Sequence, residues 1–210
     1  MTKDRYFHFS LGPVQEFVGK ARRLRDYWTG SYLLSYLTEQ AMDEICEKDG
    51  EVIFPPYKGK GDITRANKGL EIGSFPNRFQ ATVPSNFDPS CCEKRVRDAW
   101  EEIADYIWDK YISEVAPLGK GTKEIWDRQV KGFWYMQWVL ADEENDALLD
   151  IRKNWRNYVP SVEPGDKCTL FGNLQEISGY VRTSKKAERE KQKIFWEKMR
   201  SKLYHLDLKE

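Results

Sequence analysis

Hydrophobic positions near the start of the chain change period once. Phe7, Phe9 and Leu11 alternate with His8 and Ser10, the two-residue repeat of a strand. Gly12 and Pro13 interrupt the pattern, one permissive in its backbone angles and the other well suited to a first helical position. Val14, Phe17, Val18, Ala21, Leu24 and Trp28 then recur at three and four residues, so a helix with one apolar face is predicted from Pro13. Gly30-Ser31 is expected to break or kink it, and Tyr32, Leu33, Leu34, Tyr36 and Leu37 carry it on to about Glu47. A short strand comes next at Glu51–Phe54, stopped by Pro55-Pro56. Tyr57 to Ser74 shows no hydrophobic period and reads as a long, mobile loop. Phe79, Ala81 and Val83 alternate with Arg78, Gln80 and Thr82, giving a second strand that could close a hairpin around that loop.

Asp88 or Ser90 is a candidate cap for the next helix. Val96, Ala99, Trp100, Ile103, Ala104, Ile107 and Tyr111 give it an amphipathic face until Pro117 and Gly119-Lys120-Gly121 end it. Thr122 opens a further helix. Phe133 to Leu140 is the strongest strand signal, and aromatics at both parities predict that both its faces are covered. The order strand, helix, strand, strand, helix, strand predicts an α+β fold, the ferredoxin-like βαββαβ palm with an antiparallel sheet and helices on one face. The palm would occupy residues 1–142, with the loop at 57–74. Residues 143–210 would be a helical extension: a short helix at Ala147–Trp155, a Pro/Gly loop at Val159–Gly172, and a charged helix at Ser184–Tyr204 that packs through Ile194, Phe195 and Met199. The last residues read as a chain stopping within an element. Such a fold serves many functions and chooses none.

Composition narrows the class. Of 210 residues, 40% are hydrophobic and 32% charged, enough for a core under a highly charged surface. Lys and Arg balance Asp and Glu at 34 each, so no global charge draws the chain to nucleic acid or membrane. The balance does not hold locally: between Arg152 and Lys202, thirteen Lys and Arg face six Asp and Glu. No apolar run is long enough to span a bilayer, and the charged first residues are no signal peptide. Cys46, Cys91, Cys92 and Cys168 make neither a CxxC pair nor a zinc spacing, which suits reduced thiols in the cytoplasm.

The candidate chemistry centres on the first turn. A strand that turns straight into a helix leaves backbone amides without partners, an opportunity for phosphate or for water alone. Metal-dependent palms hold two cations on carboxylates at the end of the first strand and in the central hairpin. Here the first strand ends Ser10-Leu11-Gly12, and the hairpin has no Gly-Gly-Asp-Asp, so no catalytic residues and no metal ligands are assigned. Asp62 and Glu71 lie in the loop at a spacing that matches no metal motif; an enzyme using them is a third-ranked reading. His8 is expected to be packed or hydrogen-bonded rather than catalytic. Arg22, Arg23 and Arg25 are candidates for RNA or subunit contact, or simply a solvated helix face, with Asp26 expected to pair with Arg22 or Arg23.

Several motifs together carry a family resemblance. Gly12-Pro13-Val14-Gln15-Glu16-Phe17 is followed by Ala21-Arg22-Arg23, Arg25-Asp26-Tyr27-Trp28-Thr29-Gly30-Ser31 and Leu33-Leu34-Ser35. Pro76-Asn77-Arg78-Phe79, Ile125-Trp126-Asp127-Arg128-Gln129, Arg152-Lys153-Asn154-Trp155-Arg156, Lys167-Cys168 and Gln175-Glu176-Ile177-Ser178-Gly179 come after them in order. In this set and sequence they resemble the large subunit of type III-B (Cmr-type) CRISPR effector complexes, at its first palm. The resemblance implies a palm without catalytic carboxylates that shares an ATP pocket with a second palm. That second palm carries Gly-Gly-Asp-Asp and Mg or Mn, and makes cyclic oligoadenylates. It further implies partnership with other effector subunits, guide RNA and target RNA in antiviral defence. By motif, Gly12, Pro13, Val14 and Gln15 would face nucleotide phosphates and Ser31 the adenine. Cys168-Thr169-Leu170-Phe171 stands where relatives carry a CxxC, so zinc is not expected. The rival reading is a stand-alone ferredoxin-like module that binds RNA or protein without nucleotide.

Overall fold

The computed structural model describes residues 4–59, 75–145, 149, 165–170, 172, 174–182 and 185–203. Residues 60–74, with Asp62 and Glu71, lie outside them, as do nearly all of the expected helix at 147–155 and much of the 159–172 loop. Contacts divide the chain into two bodies that interleave in sequence. One comprises residues 1–100 and 134–157, the other 101–133 and 158–210. Where the sequence suggests a boundary near 142, contact groups 101–133 with the C-terminal segment.

The first body is built on a four-stranded sheet. Strands β1 (Arg5–Gly12), β2 (Glu51–Phe54), β3 (Arg78–Val83) and β4 (Tyr135–Ala141) lie in the order β2-β3-β1-β4. Every neighbouring pair is antiparallel. This sheet, with its helices, is an α+β arrangement consistent with a ferredoxin-like palm. The alternation read along β1 and β3 is realised: Phe7, Phe9, Leu11, Phe79, Ala81 and Val83 are all buried. The register sets Phe9 against Phe79, and their rings stack at 5.1 Å between centroids. Phe87 closes on Phe7 edge-on at 5.5 Å. His8 and Ser10, on the other parity of β1, are also buried, so both faces of this central strand are covered there. β4 differs from expectation. It is one of the sheet's two edge strands and is half-buried at every position, while Trp134 just before it is buried.

The long first helix also differs. A single turn, α1 (Gln15–Val18), ends at Gly19, and α2 starts afresh at Leu24 and runs unbroken to Glu47. Gly30 and Ser31 lie within α2 and make no break in it. The restart comes where Asp26 accepts the Arg23 amide at 3.2 Å, half of a capping box. From Leu34 onward α2 buries Leu37, Ala41, Met42 and Ile45. α3 (Ser90–Ile107) begins at the cap read from sequence: Asp88 accepts both the amide (3.0 Å) and the hydroxyl (2.7 Å) of Ser90. Its first turns seat on α2 through Cys92, whose thiol donates to the Ala41 carbonyl at 3.6 Å.

The second body has its own core. Ala104, Ile112, Val115, Trp126, Phe195 and Met199 pack together. Trp126 ends α4 (Thr122–Trp126), while Phe195 and Met199 come from α5 (Lys186–Leu203). Ile194, expected to join them, is exposed, and Gln192 is buried in its stead. The loop at 174–182 is tied down by polar contacts. The Gln129 side-chain amide accepts from the Gln175 N–H at 2.6 Å and donates to its carbonyl at 3.0 Å, and the Lys120 N–H donates to the Ser178 carbonyl at 2.7 Å. Among the described residues, no helix is long and apolar enough to cross a membrane.

Candidate functional site

The turn from β1 into α1 is fixed from below. The Leu11 amide donates to the Asn77 carbonyl, and the Asn77 side chain donates back to the Leu11 carbonyl, both at 2.8 Å. Asn77 thus locks the strand's end to the approach of β3, a role that sequence alone did not assign. Its signal was adjacency to Arg78-Phe79 in a motif of unknown purpose.

Gly12 and Pro13 are buried. The β1–β4 register sets Gly12 opposite Tyr135, and the ring lies so close that a Cβ on Gly12 would stand 2.9 Å from its Cε2. A side chain here would have to displace the tyrosine ring. Pro13 has no N–H to offer. Val14 is half-buried, and Gln15 and Glu16 are exposed. α1 is too short to add much dipole, and the Glu16 carboxylate in its first turn opposes an anion. The accessible part of the turn is therefore the backbone and side chains around Val14 and Gln15, with Gly12 and Pro13 as the wall behind.

α1 packs on α2 at Gly30, the residue before Ser31. Phe17 sits over Gly30, 3.5 Å from where a Cβ would be, and Val18 lies 3.7 Å from the same point. Phe17 also meets Trp134 edge-on at 4.8 Å. Gly30 is thus a seat for α1 rather than a hinge, and Ser31, half-buried, is the next residue on the same turn of α2.

Arg22, Arg23 and Arg25 are all exposed, at the restart of the helix. Asp26 does not pair with Arg22 or Arg23 by side chain, as spacing suggested. It caps the Arg23 amide and stands 3.9 Å from the Arg25 Nε. His8 is buried in the middle strand and has partners, which suits a packing role. Across the palm's centre, β1 sets Ser10 against Arg78 and Gln137 and brings no carboxylate there. Among the described residues no three His, Cys, Asp or Glu side chains cluster as metal ligands would.

Comparison with known proteins bears on these motifs. Residues 6–105, a little under half the chain, match the model of the family described as CRISPR-associated protein Cmr2, N-terminal. The Pyrococcus furiosus protein described as CRISPR system Cmr subunit Cmr2 is 28% identical over 161 residues, taking in 68% of this chain and 18% of that protein. The chain therefore spans about a fifth of that relative's length. A chain in the cryo-EM structure of the type III-B Cmr-beta complex bound to cognate target RNA aligns with 96% of this chain and 32% of its own length. Its TM-score is 0.46 and its identity 14%. The resemblance carried by the motifs is thus borne out by the first two matches: the chain is similar to Cmr2 proteins, with residues 6–105 matching their N-terminal family.

Proposed function

We propose that this chain, related as it is to the N-terminal region of Cmr2, is a non-catalytic palm that completes a nucleotide pocket in a type III-B Cmr effector complex. Other Cmr subunits, guide RNA and target RNA are its partners through that complex, and it acts in RNA-guided antiviral defence. Its residues bind and orient ATP; a second palm supplies the carboxylates and the Mg or Mn for cyclic oligoadenylate synthesis. The observation that supports the reading is that Phe17 seats α1 on Gly30, the residue before the half-buried Ser31, while Gln15 in the turn is exposed. Gln15 and the neighbouring amides would take phosphate oxygens, and the Ser31 hydroxyl a polar edge of the adenine. Gly12 and Pro13 would form the buried wall behind them. None of these groups can move a proton at neutral pH, so the part assigned to this chain is binding and orientation.

The test is ATP binding to the assembled complex, measured by equilibrium titration with a fluorescent ATP analogue. Gln15→Ala and Ser31→Ala are each expected to weaken binding by roughly two- to tenfold, the worth of one hydrogen bond. Unchanged affinity in both variants would remove the pocket role. A second reading is favoured by the burial of Gly12 and Pro13: a ferredoxin-like binding module that takes no nucleotide. It predicts normal assembly of the complex and no response of these variants to ATP.

A further inference from the structure

The first turn and a half of α2 is bare. From Leu24 to Thr29 every residue is exposed, whereas Gly30 and much of the helix beyond it are buried. Leu24, Tyr27 and Trp28 fall at i, i+3 and i+4, so they share one stripe of the helix. They are 82%, 54% and 47% exposed. Spacing alone marks Leu24 and Trp28 as core, yet this body of the chain leaves them in water. The same stretch is strongly basic. Lys20, Arg22, Arg23 and Arg25 face one carboxylate, Asp26, which is already engaged by the Arg23 amide and stands beside Arg25.

We infer that this stripe is a docking surface for another polypeptide, one that offers an apolar recess rimmed by Asp and Glu. Trp, Tyr and Arg are the side chains that most often dominate the energy of protein interfaces. Burying the stripe would remove a cost that an exposed leucine and two aromatics impose on the free chain. The acidic rim follows from charge complementarity with the three guanidiniums. Single-stranded RNA fits less well, because its bases need stacking platforms and the most exposed member of the stripe, Leu24, has no π face. A second copy docking the same patch on itself is opposed by arginines meeting arginines. The inference does not depend on the nucleotide pocket, since neither Gln15 nor Ser31 is part of the stripe.

The experiment places the photo-crosslinker p-benzoylphenylalanine at position 24 of the full chain in its native cells, with irradiation before purification. The expected result is an adduct with one other polypeptide, at a segment that contains Asp or Glu. Arg22→Glu/Arg23→Glu/Arg25→Glu should lower its yield about tenfold, and Lys replacements at the mapped carboxylates should restore it. Without any substitution, hydroxyl-radical footprinting should show Leu24, Tyr27 and Trp28 protected at least about threefold in the purified assembly relative to the isolated chain. An adduct with nucleic acid or with this same chain, absence of any adduct, failure of the charge swap, or unchanged footprinting would each overturn the inference. Loss of ATP binding in Gln15→Ala would leave these readouts unmoved.

Discussion

Two side-chain contacts in the first body make residue-level predictions. Tyr135 approaches Gly12 so closely that a methyl group there would have to displace the ring. Gly12→Ala is therefore expected to cost about 1–3 kcal/mol by overpacking. In a Tyr135→Ala background the same substitution should cost well under 1 kcal/mol, a coupling that chemical denaturation of the four variants would measure. An equal cost in both backgrounds would mean that the backbone, not the ring, demands glycine. The second contact is Tyr57 with Asp43, both buried, in which the phenol donates to the carboxylate. Burial first, and then this hydrogen bond, push the phenol well above the ordinary tyrosine range. Removing the donor in Tyr57→Phe should cost about 1–3 kcal/mol at neutral pH. A raised folded pKa gives stability that is whole below the unfolded value near 10 and declines as pH rises above it. The gap between wild type and Tyr57→Phe should thus narrow above about pH 10. A gap that stays constant to pH 11 would contradict the assignment.

At the scale of elements, burial outweighs charge in holding the two long helices of the first body. Arg95 on α3 reaches Glu44 at 3.1 Å and Glu47 at 3.0 Å on α2, but the guanidinium and both carboxylates keep contact with solvent. Such pairs are worth about 0–1 kcal/mol and are screened by salt. Met42, on the same helix, is fully buried. Met42→Ala is expected to cost about 2–5 kcal/mol, and Arg95→Ala no more than about 1 kcal/mol, with the latter shrinking further in 0.5 M salt. Thermal and urea denaturation would rank the two, and a reversed order would sink this account.

The strands were legible in the sequence because alternation is a local signal and the Phe-rich parity really does face a core. The restart of the helix was not. The spacing of Phe17, Val18, Ala21, Leu24 and Trp28 stays near 3.6 across the gap at Gly19–Arg23, so period alone hides the break, and Leu24 and Trp28 read as core when they are bare. Gly30 misled for a related reason. A glycine inside a helix signals weakness from local propensity, but its use here is to admit Phe17 from another element. The contacts that define the candidate site, Tyr135 on Gly12 and Asn77 on Leu11, join residues far apart in the chain. No periodicity could have shown them.

For the whole molecule, two bodies with separate cores imply separate responses to damage. Phe195 is fully buried among Trp126, Val115, Met199 and their neighbours, on a helix that otherwise presents mostly charge to water. Deleting such a ring from a packed site costs about 3–5 kcal/mol, which is a large part of the stability of a body this small. The polar ties of the 174–182 loop to Gln129 and Lys120 cannot make up that loss, since each net hydrogen bond contributes about 1 kcal/mol. Phe195→Ala should therefore open α5, α4 and that loop together while the sheet stays closed. Hydrogen exchange read by mass spectrometry would show protection lost across 122–131, 174–182 and 186–203 and retained in 5–12, 78–83 and 135–141. If protection fell equally in β1, the two bodies would have to be counted as one cooperative unit. The palm's candidate site would then depend on the C-terminal helix for its shape, and substitutions at Gln15 and Ser31 could no longer be read as effects on binding alone.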